Sequence, residues 1–249
     1  MLQLFISDLH LDDERPATTR AFLRFLQEEA RGADQLYILG DFFESWIGDD
    51  DSSPLIDTVT AALRELSSAG TELFIMQGNR DFLLGEVFCQ AVGAKLLPDP
   101  SVINLAGEPT LLMHGDSLCT ADKEYIAFRQ LARSEAWQRE VLAKPLEERR
   151  ALARQLRMAS FEANSNKADD IMDVTPEEVS AQMAATACST LIHGHTHRPA
   201  RHQVTVNGKS GERWVLGDWV ESSAEGEAGH CHYLRCDGTD LQLVRYLFS

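Results

Sequence analysis

The sequence predicts an α/β fold built on a largely parallel sheet. In the first 80 residues, short apolar runs alternate with segments of helical periodicity in the order strand, helix, strand, helix, strand. This alternation is typical of βαβ units. Each apolar run also ends in a polar loop, and ligands of such sheets collect at the carboxyl ends of the strands. We therefore expect the chemistry of this protein to lie in those loops.

The first three strands are predicted over residues 2–7, 36–39 and 73–76, and the helices between them over residues 16–30 and 54–69. Apolar residues at spacings of three and four indicate the helices. A different pattern follows, in which short strands are separated by Pro and Gly, and this favours antiparallel pairing. These strands are predicted over residues 95–97, 102–105 and 110–113, and a closing set over residues 203–206, 213–216, 230–235 and 241–247.

The composition argues against several classes of protein. Of the 249 residues, 44% are hydrophobic and 25% charged, which is enough to build a sizeable core in one large domain or two small ones. No run of about 18 apolar residues exists, and the net charge of −16 argues against non-specific binding to nucleic acid. We find no signal-peptide pattern, and five scattered cysteines without a CxxC pair fit a reducing compartment, so we expect a cytoplasmic protein.

The segment between residues 121 and 167 differs from its surroundings. It has an amphipathic helical pattern and carries ten Lys or Arg against seven Asp or Glu, a local balance of +3 that leaves −19 for the rest of the chain. A solvated helix face explains any single one of these arginines equally well. We predict that the segment is a helical insertion, or lid, within a single domain that spans residues 1–249.

Seven side chains able to bind a metal stand at the ends of five predicted strands, four of them given above and the fifth a short buried strand that begins at Leu191 and leads into Gly194. They are Asp8, His10, Asp41, Asn79, His114, His195 and His197. In extended backbone, residues two apart point the same way, so His195 and His197 would face one metal centre or two adjacent ones. For this pair alone, the alternative is a chance run of histidines at a strand end.

The chemistry of this ligand set favours two metal ions. Mixed imidazoles and carboxylates suit Mn²⁺, Fe²⁺ or Zn²⁺ better than Ca²⁺ or Mg²⁺. Seven ligands exceed what one tetrahedral site needs, but they suit two ions that share a carboxylate. Ions about 3.5–4 Å apart can clamp both sides of an in-line phosphoryl displacement.

The order of the motifs is more specific than any one of them. Asp-x-His, Gly-Asp, Gly-Asn, His-Gly and Gly-His-x-His follow one another along nearly the whole chain, and in that order they resemble the calcineurin-like metallophosphoesterases. The resemblance implies an αββα fold, in which two mixed β-sheets pack face to face with helices outside, and two metal sites that share one carboxylate. The two sets of ligands would be Asp8, His10, Asp41 and His197, and Asp41, Asn79, His114 and His195.

Arg80 departs from the pattern of the wider family, which often has a histidine directly after Gly-Asn as a general acid. A guanidinium gives up no proton near pH 7. The leaving group should therefore need no proton, as is true of a phosphate monoester, and Arg80 would instead stabilise charge on a diphosphate. The alternative is a surface arginine paired with Asp81.

Longer stretches resemble the branch of this family that cleaves a UDP-linked diacylated glucosamine. They include residues 6–11, 36–41, 78–85 and 113–116. The resemblance implies cleavage of UDP-2,3-diacylglucosamine to UMP and 2,3-diacylglucosamine 1-phosphate (lipid X) in lipid A biosynthesis, by water attack at the α-phosphorus, with two Mn²⁺ per chain.

The same resemblance assigns roles to individual residues. Arg80, His195 and Asp41 would be catalytic, and Asn79, Arg80 and His195 would contact the diphosphate. The glucosamine-phosphate portion would contact Asp122, Ser160, Asn164 and Lys167.

The apolar stripe of the insertion suits a lipid substrate. Placed just after His114, it would form a chamber for two acyl chains, with Phe161 as our own candidate for acyl contact. Core packing is the alternative for any single residue of the stripe. Its positive balance favours an anionic membrane surface, so we expect peripheral contact with the cytoplasmic face of the inner membrane. We infer no protein partner and no nucleic acid.

Two other functions are alternatives to hydrolysis of a UDP-linked lipid. A pyrophosphatase or phosphodiesterase for UDP-sugars or cyclic nucleotides would use the same metal chemistry, but polar substrates need no apolar chamber. A catalytically silent scaffold would typically lack several of the seven ligands.

Two further residues are expected near the ligands. Asp116 would orient His114 unless it is a turn residue, and His193 would pack or hydrogen-bond beneath the site.

Overall fold

Eleven strands and seven α-helices make up the part of the chain that the computed structural model describes, which is residues 1–165, 171, 173–222 and 227–248. The strands are β1 (Gln3–Ile6), β2 (Gln35–Leu39), β3 (Glu72–Met76), β4 (Ala94–Leu97), β5 (Ser101–Leu105), β6 (Glu108–Leu112), β7 (Thr190–His193), β8 (Ala200–Val206), β9 (Lys209–Val215), β10 (Gly229–Cys236) and β11 (Leu241–Phe248). The helices are α1 (Pro16–Phe25), α2 (Pro54–Ser68), α3 (Glu86–Val92), α4 (Lys123–Ala132), α5 (Glu135–Leu142), α6 (Leu146–Ser165) and α7 (Pro176–Ala185).

The strands form two mixed sheets. The first has the order β11-β10-β1-β2-β3-β4, and β1 to β4 run parallel. The second has the order β5-β6-β7-β9-β8, and β6, β7 and β9 run parallel. Because parallel strands end at the same edge of a sheet, the loops after β1, β2 and β3 leave one edge of the first sheet together, and those after β6 and β7 leave one edge of the second.

Alternation of side chains along the strands divides the core into three layers. Phe5 and Ile192 pack between the two sheets. Ile6, next to Phe5 in the sequence, points the opposite way and packs with Phe22 of α1 on the outer face of the first sheet. Helix α7 covers the outer face of the second sheet. The expected αββα architecture is therefore confirmed.

One strand-pairing prediction was wrong. We expected residues 95–97 to pair antiparallel with their successors, but β4 lies parallel to β3 in the first sheet. Of the three strands β4, β5 and β6, only β5 and β6 pair antiparallel with each other. The unpredicted helix α3 supplies the crossover that a parallel connection needs. Its N-terminus is capped from a distance, since Asp49 Oδ2 accepts the N–H groups of Val87 and Phe88 at 3.0 Å, and a local sequence pattern cannot reveal such a cap.

The predicted insertion contains the three helices α4, α5 and α6. Helix α6 is held to the loop after β2 by Arg149, whose guanidinium donates to the carbonyl oxygen of Ile47 at 2.8 Å and to the carboxylate of Asp50.

None of the described helices combines the length and the apolar character that crossing a bilayer would take. All five cysteines are buried and free, as their scattered positions predicted.

Candidate active site and metal centre

The candidate site lies where the loops after β1, β2, β3, β6 and β7 meet. Five of the seven predicted ligands in these loops have a positive φ, which is uncommon for residues other than glycine. They are Asp8 (φ 54°), His10 (50°), Asp41 (48°), His195 (67°) and His197 (54°). Backbone strain of this kind clusters at functional sites, where the surrounding structure holds it in place. Extended backbone, on which we based the orientation of His195 and His197, was therefore the wrong local geometry.

The first group of ligands joins Asp8, His10 and His197, whose ligand atoms all lie within 4.8 Å of one another. His197 Nε2 lies 3.4 Å from Asp8 Oδ1 and 3.4 Å from His10 Nε2. Asp8 is fully buried, and its carboxylate also accepts the N–H of His195. Ligands from β1 and β7 therefore meet across the two sheets.

The second group joins Asp41, His114 and His195 within the same limit of 4.8 Å. His114 is fully buried, and its Nδ1 donates to the carbonyl oxygen of Leu39 at 2.9 Å, so its Nε2 faces the group. That Nε2 lies 2.9 Å from the side-chain oxygen of Asn79 and 3.7 Å from Asp41 Oδ1. Six of the seven predicted ligands thus lie in two groups of three, with Asp41 in the second, and Asn79 contacts that second group through His114.

Asp41 lies between the two groups. Its Oδ1 faces His114 at 3.7 Å and its Oδ2 faces His10 at 3.8 Å. Two buried carboxylates surrounded by converging imidazole nitrogens are a donor set that suits divalent transition metals. The residues present therefore fit a pair of ions with Asp41 between them.

Glycines in the motifs allow the loops to approach one another. A Cβ on Gly78 would lie 2.1 Å from Asp41 Oδ1, and a Cβ on Gly194 would lie 2.3 Å from Asp8 Oδ2. Real Cβ atoms essentially never come so close to another heavy atom. The Gly of Gly-Asn and that of Gly-His-x-His are therefore required by packing against the carboxylates of Asp41 and Asp8.

The electrostatics of the metal-free site balance negative carboxylates with protonated histidines. Burial alone would raise the pKa of Asp8, but the hydrogen bond and charge of His197 hold it well below its usual range. Burial opposes protonation of His114 and His197, yet the carboxylate of Asp41 raises the pKa of His114 to about 9, and hydrogen bonds to Asp218 and Asp8 raise that of His197 to about 10. Divalent cations would replace these protons.

Asp81 is a buried positioning residue that we did not predict. It accepts the N–H of Gly78 at 2.6 Å and that of Phe42 at 2.8 Å, and so ties the Gly-Asn loop to the Gly-Asp loop. Burial and the nearby charge of Asp41 raise its pKa to about 6.

The alternative that Arg80 pairs with Asp81 is wrong, because the guanidinium of Arg80 faces Glu44 at 3.8 Å.

The carboxylate of Asp116 contacts side chains of the insertion rather than the ring of His114. It accepts from the hydroxyl of Tyr125 and from Arg129 Nε at 2.9 Å, both on helix α4. The ring of Tyr125 lies over that of His195 with centroids 6.2 Å apart. The expectation that Asp116 orients His114 by direct contact is therefore replaced by a link between α4 and the metal centre.

His193 lies beneath the site, as expected. It is fully buried, its Nδ1 donates to the carbonyl oxygen of Gly194 at 2.8 Å, and its Nε2 accepts from Arg213 at 3.2 Å. Burial and the charge of Arg213 lower its pKa to about 3, so the ring is neutral at pH 7.

A cavity of about 310 Å³ opens at Asn79 and Arg80, between the site loops and the insertion. Apolar side chains of the insertion form much of its wall, among them Phe128, Trp137, Leu152 and Leu156. Four predicted substrate contacts also line it, namely Asn79, Arg80, Asp122 and Ser160. The side chains of three other predicted contacts, Asn164, Lys167 and Phe161, lie outside the described part of the chain.

Comparisons with known proteins agree with this geometry. A family model described as calcineurin-like phosphoesterase matches residues 1–199. A relative from Marinobacter nauticus named UDP-2,3-diacylglucosamine hydrolase is 55% identical over 89% of this chain and 91% of its own. Relatives of the same name from Cellvibrio japonicus (54% identical over 92% of this chain and 98% of theirs) and Chromohalobacter salexigens (57% over 88% and 89%) are similarly close.

Proposed function

Since this chain belongs to the calcineurin-like phosphoesterase family, we propose that it hydrolyses UDP-2,3-diacylglucosamine to UMP and 2,3-diacylglucosamine 1-phosphate, a step of lipid A biosynthesis. The names of the relatives, which match this chain over about nine tenths of its length, support the substrate. The observation that carries the proposal is the cavity, which reaches Asn79 and Arg80 at the edge of the second ligand group and has an apolar wall supplied by the insertion. A nucleotide diphosphate and acyl chains need those two environments side by side.

We propose two Mn²⁺ ions as the cofactors, held by the two sets of ligands that share Asp41. When bound, such a pair supplies an ionised water as nucleophile and neutralises charge on the reacting phosphate. His195 is neutral at pH 7, because burial and the charge of His114 lower its pKa to about 4, and its imidazole is therefore free to bind a metal.

Arg80 acts on the diphosphate itself. Its guanidinium lines the cavity next to Asn79 and is one quarter exposed. It stabilises the negative charge that builds up on the diphosphate as the bond to the α-phosphorus breaks. The departing 2,3-diacylglucosamine 1-phosphate leaves as a phosphate anion, so no general acid is needed.

The insertion binds the lipid part of the substrate and acts as a lid. Asp122 and Ser160 contact the glucosamine phosphate, together with Asn164 and Lys167, and apolar side chains such as Trp137 receive the acyl chains. Exposed apolar residues on the insertion, Leu131 (54% exposed), Leu142 (42%) and Met158 (65%), and its positive balance support peripheral contact with an anionic membrane on the cytoplasmic face of the inner membrane.

A comparison of acylated and unacylated substrates tests the proposal. Mn²⁺-loaded protein is given UDP-2,3-diacylglucosamine and, in parallel, UDP-N-acetylglucosamine. We expect cleavage of the acylated substrate only. Equal cleavage of both would make the protein a general pyrophosphatase for UDP-sugars and leave the apolar wall of the cavity without a role.

A further inference from the structure

Glu44, which the functions described so far do not use, is fixed beside the metal centre by its backbone. It follows β2 in the loop that carries Asp41, and its N–H donates to the carbonyl oxygen of Leu11 at 3.1 Å. Next to it, Phe43 forms an isolated bridge with Leu11. The loop of Glu44 is thus pinned to the loop that carries His10.

The carboxylate of Glu44 faces three basic groups. Its Oε2 lies 2.8 Å from His10 Nδ1, although the ring N–H does not point straight at that oxygen. Its Oε1 lies 3.1 Å from Arg157 Nε of helix α6 and 3.8 Å from Arg80 Nη1. The side chain of Glu44 is only 12% exposed and that of His10 11%, so solvent screens their attraction weakly, whereas the side chain of Arg157 is 49% exposed.

The contact with His10 decides which ring nitrogen faces the ligands. With Nδ1 directed at Glu44, His10 Nε2 points into the first ligand group, 3.4 Å from His197 Nε2. A carboxylate behind a metal-binding histidine fixes the orientation of the ring and makes it a better ligand. His197 has a similar arrangement, since its Nδ1 lies 3.4 Å from a carboxylate oxygen of Asp218.

We propose that Glu44 is a positioning residue that orients His10 toward the metal centre and, through the same carboxylate, ties helix α6 to that centre at Arg157. One side chain then links a metal ligand, the arginine beside the diphosphate and the helix that covers the lipid. This inference rests on the metal centre of the proposed function.

Direct titration of metal-stripped protein with Mn²⁺ by calorimetry tests the proposal. We expect wild-type protein to bind two ions, and Glu44→Ala to bind one of them about 10- to 100-fold more weakly. Glu44→Gln keeps an oxygen beside His10 and should lose less affinity, which separates positioning from a general loss of folding. The control is Glu65→Gln, which removes an acidic charge at a side chain that is 74% exposed and lies 3.9 Å from Arg31, and it should bind as wild type.

Arg157→Ala separates the two roles of Glu44. We expect it to bind Mn²⁺ as wild type does but to raise KM for the acylated substrate. Loss of as much metal affinity in Arg157→Ala as in Glu44→Ala would mean that helix α6 holds the ring, and would overturn the proposal. So would two wild-type sites that Glu44→Ala leaves unchanged, whereas wild-type protein that binds no Mn²⁺ would overturn the proposed metal centre as well.

Discussion

Arg80 is the residue at which the chemistry of this chain departs from that of the wider family, and its removal should separate catalysis from metal binding. It lines the cavity, and its contact with a proposed metal ligand, Asp41, is made by its backbone N–H at 2.7 Å, which an alanine retains. We expect Arg80→Ala to lower kcat by about 10²–10³-fold, the size typical for loss of one charge-stabilising group, with metal content retained.

Metal analysis of the purified variant provides the check on that prediction. Loss of Mn²⁺ together with activity would mean that Arg80 supports the structure of the site instead. Arg80→Lys is the matched variant, since it keeps the charge but loses the planar fork of donors, and it should be intermediate.

Gly78 should tolerate no side chain, because its Cα packs against the carboxylate of Asp41. A Cβ there would lie 2.1 Å from Asp41 Oδ1, so we expect Gly78→Ala to displace Asp41 and to lose both metal and activity. Gly107→Ala is the control, because Gly107 has a φ of +92° but no atom within 4 Å of the added Cβ. It should cost about 1–2 kcal/mol of backbone strain in thermal unfolding and leave activity unchanged. Equal activity of the two variants would contradict this account.

At the scale of residues, the sequence predicted which side chains could bind metal, but not which other residues hold those side chains and their loops in place. Asp8, Asp41 and the histidines could be found because their motifs follow apolar strands. Asp81 and Glu44 could not, since their partners are backbone N–H groups or side chains far away in the chain. Asp116 was assigned to the wrong partner because it follows His114 by two residues in the sequence, whereas its carboxylate contacts Tyr125 and Arg129.

At the scale of elements, helix α6 depends on one buried arginine. The side chain of Arg149 is 4% exposed and donates to Ile47 and Asp50, whereas its neighbour Arg150 is 37% exposed and pairs with Asp51 and Glu147. We expect Arg149→Ala to lower the free energy of unfolding by about 2 kcal/mol, since it removes charged hydrogen bonds and leaves a buried carbonyl unpaired. It should also raise KM for the acylated substrate.

Arg150→Ala serves as the comparison for Arg149→Ala. An exposed ion pair contributes little to stability because solvent screens it, so the unfolding of Arg150→Ala in urea should be close to that of wild type. Identical effects of the two substitutions would show that helix α6 is not fastened through Arg149.

Elements were predictable wherever their signals are local. The first three strands, the helices between them and the four closing strands follow from periodicity. Helix α3 was missed because its cap, Asp49, comes from a loop more than thirty residues earlier. Without that helix, the parallel placement of β4 could not be foreseen.

At the scale of the whole molecule, stability should couple metal binding to pH. The pKa values of His114 and His197 are raised to about 9 and about 10 in the metal-free fold, against about 6.5 in an unfolded chain. The folded protein therefore holds extra protons above pH 6.5, and the stability they supply is lost as the pH rises through 9 to 10. His195 and Asp81, with pKa values of about 4 and about 6, change their charge below this range.

Metal binding must release the protons on His114 and His197. We therefore expect the rise in Tm caused by Mn²⁺ to be larger at pH 8.5 than at pH 6.5, measured by thermal unfolding at a fixed metal concentration. Asp41→Ala should show little rise at either pH. A rise that is independent of pH in the wild type would contradict the protonated, metal-free site described above.

The packing of the two sheets was beyond what local patterns alone could predict. Periodicity indicated one largely parallel sheet and a separate set of strands, and only the ordered motifs, through the family they resemble, implied that the sheets pack face to face. The reason is physical, because contacts between sheets, such as Phe5 with the second sheet, join residues far apart in the chain.

Hydrolysis in oxygen-18 water tests the central claim most directly. Metal-stripped protein is incubated with UDP-2,3-diacylglucosamine, with and without Mn²⁺, and both products are analysed by mass spectrometry. We predict turnover only with added Mn²⁺ and the label in UMP, because water attacks the α-phosphorus. Label in 2,3-diacylglucosamine 1-phosphate would place the attack at the other phosphorus, and turnover without any metal would contradict the role given to the two ligand groups.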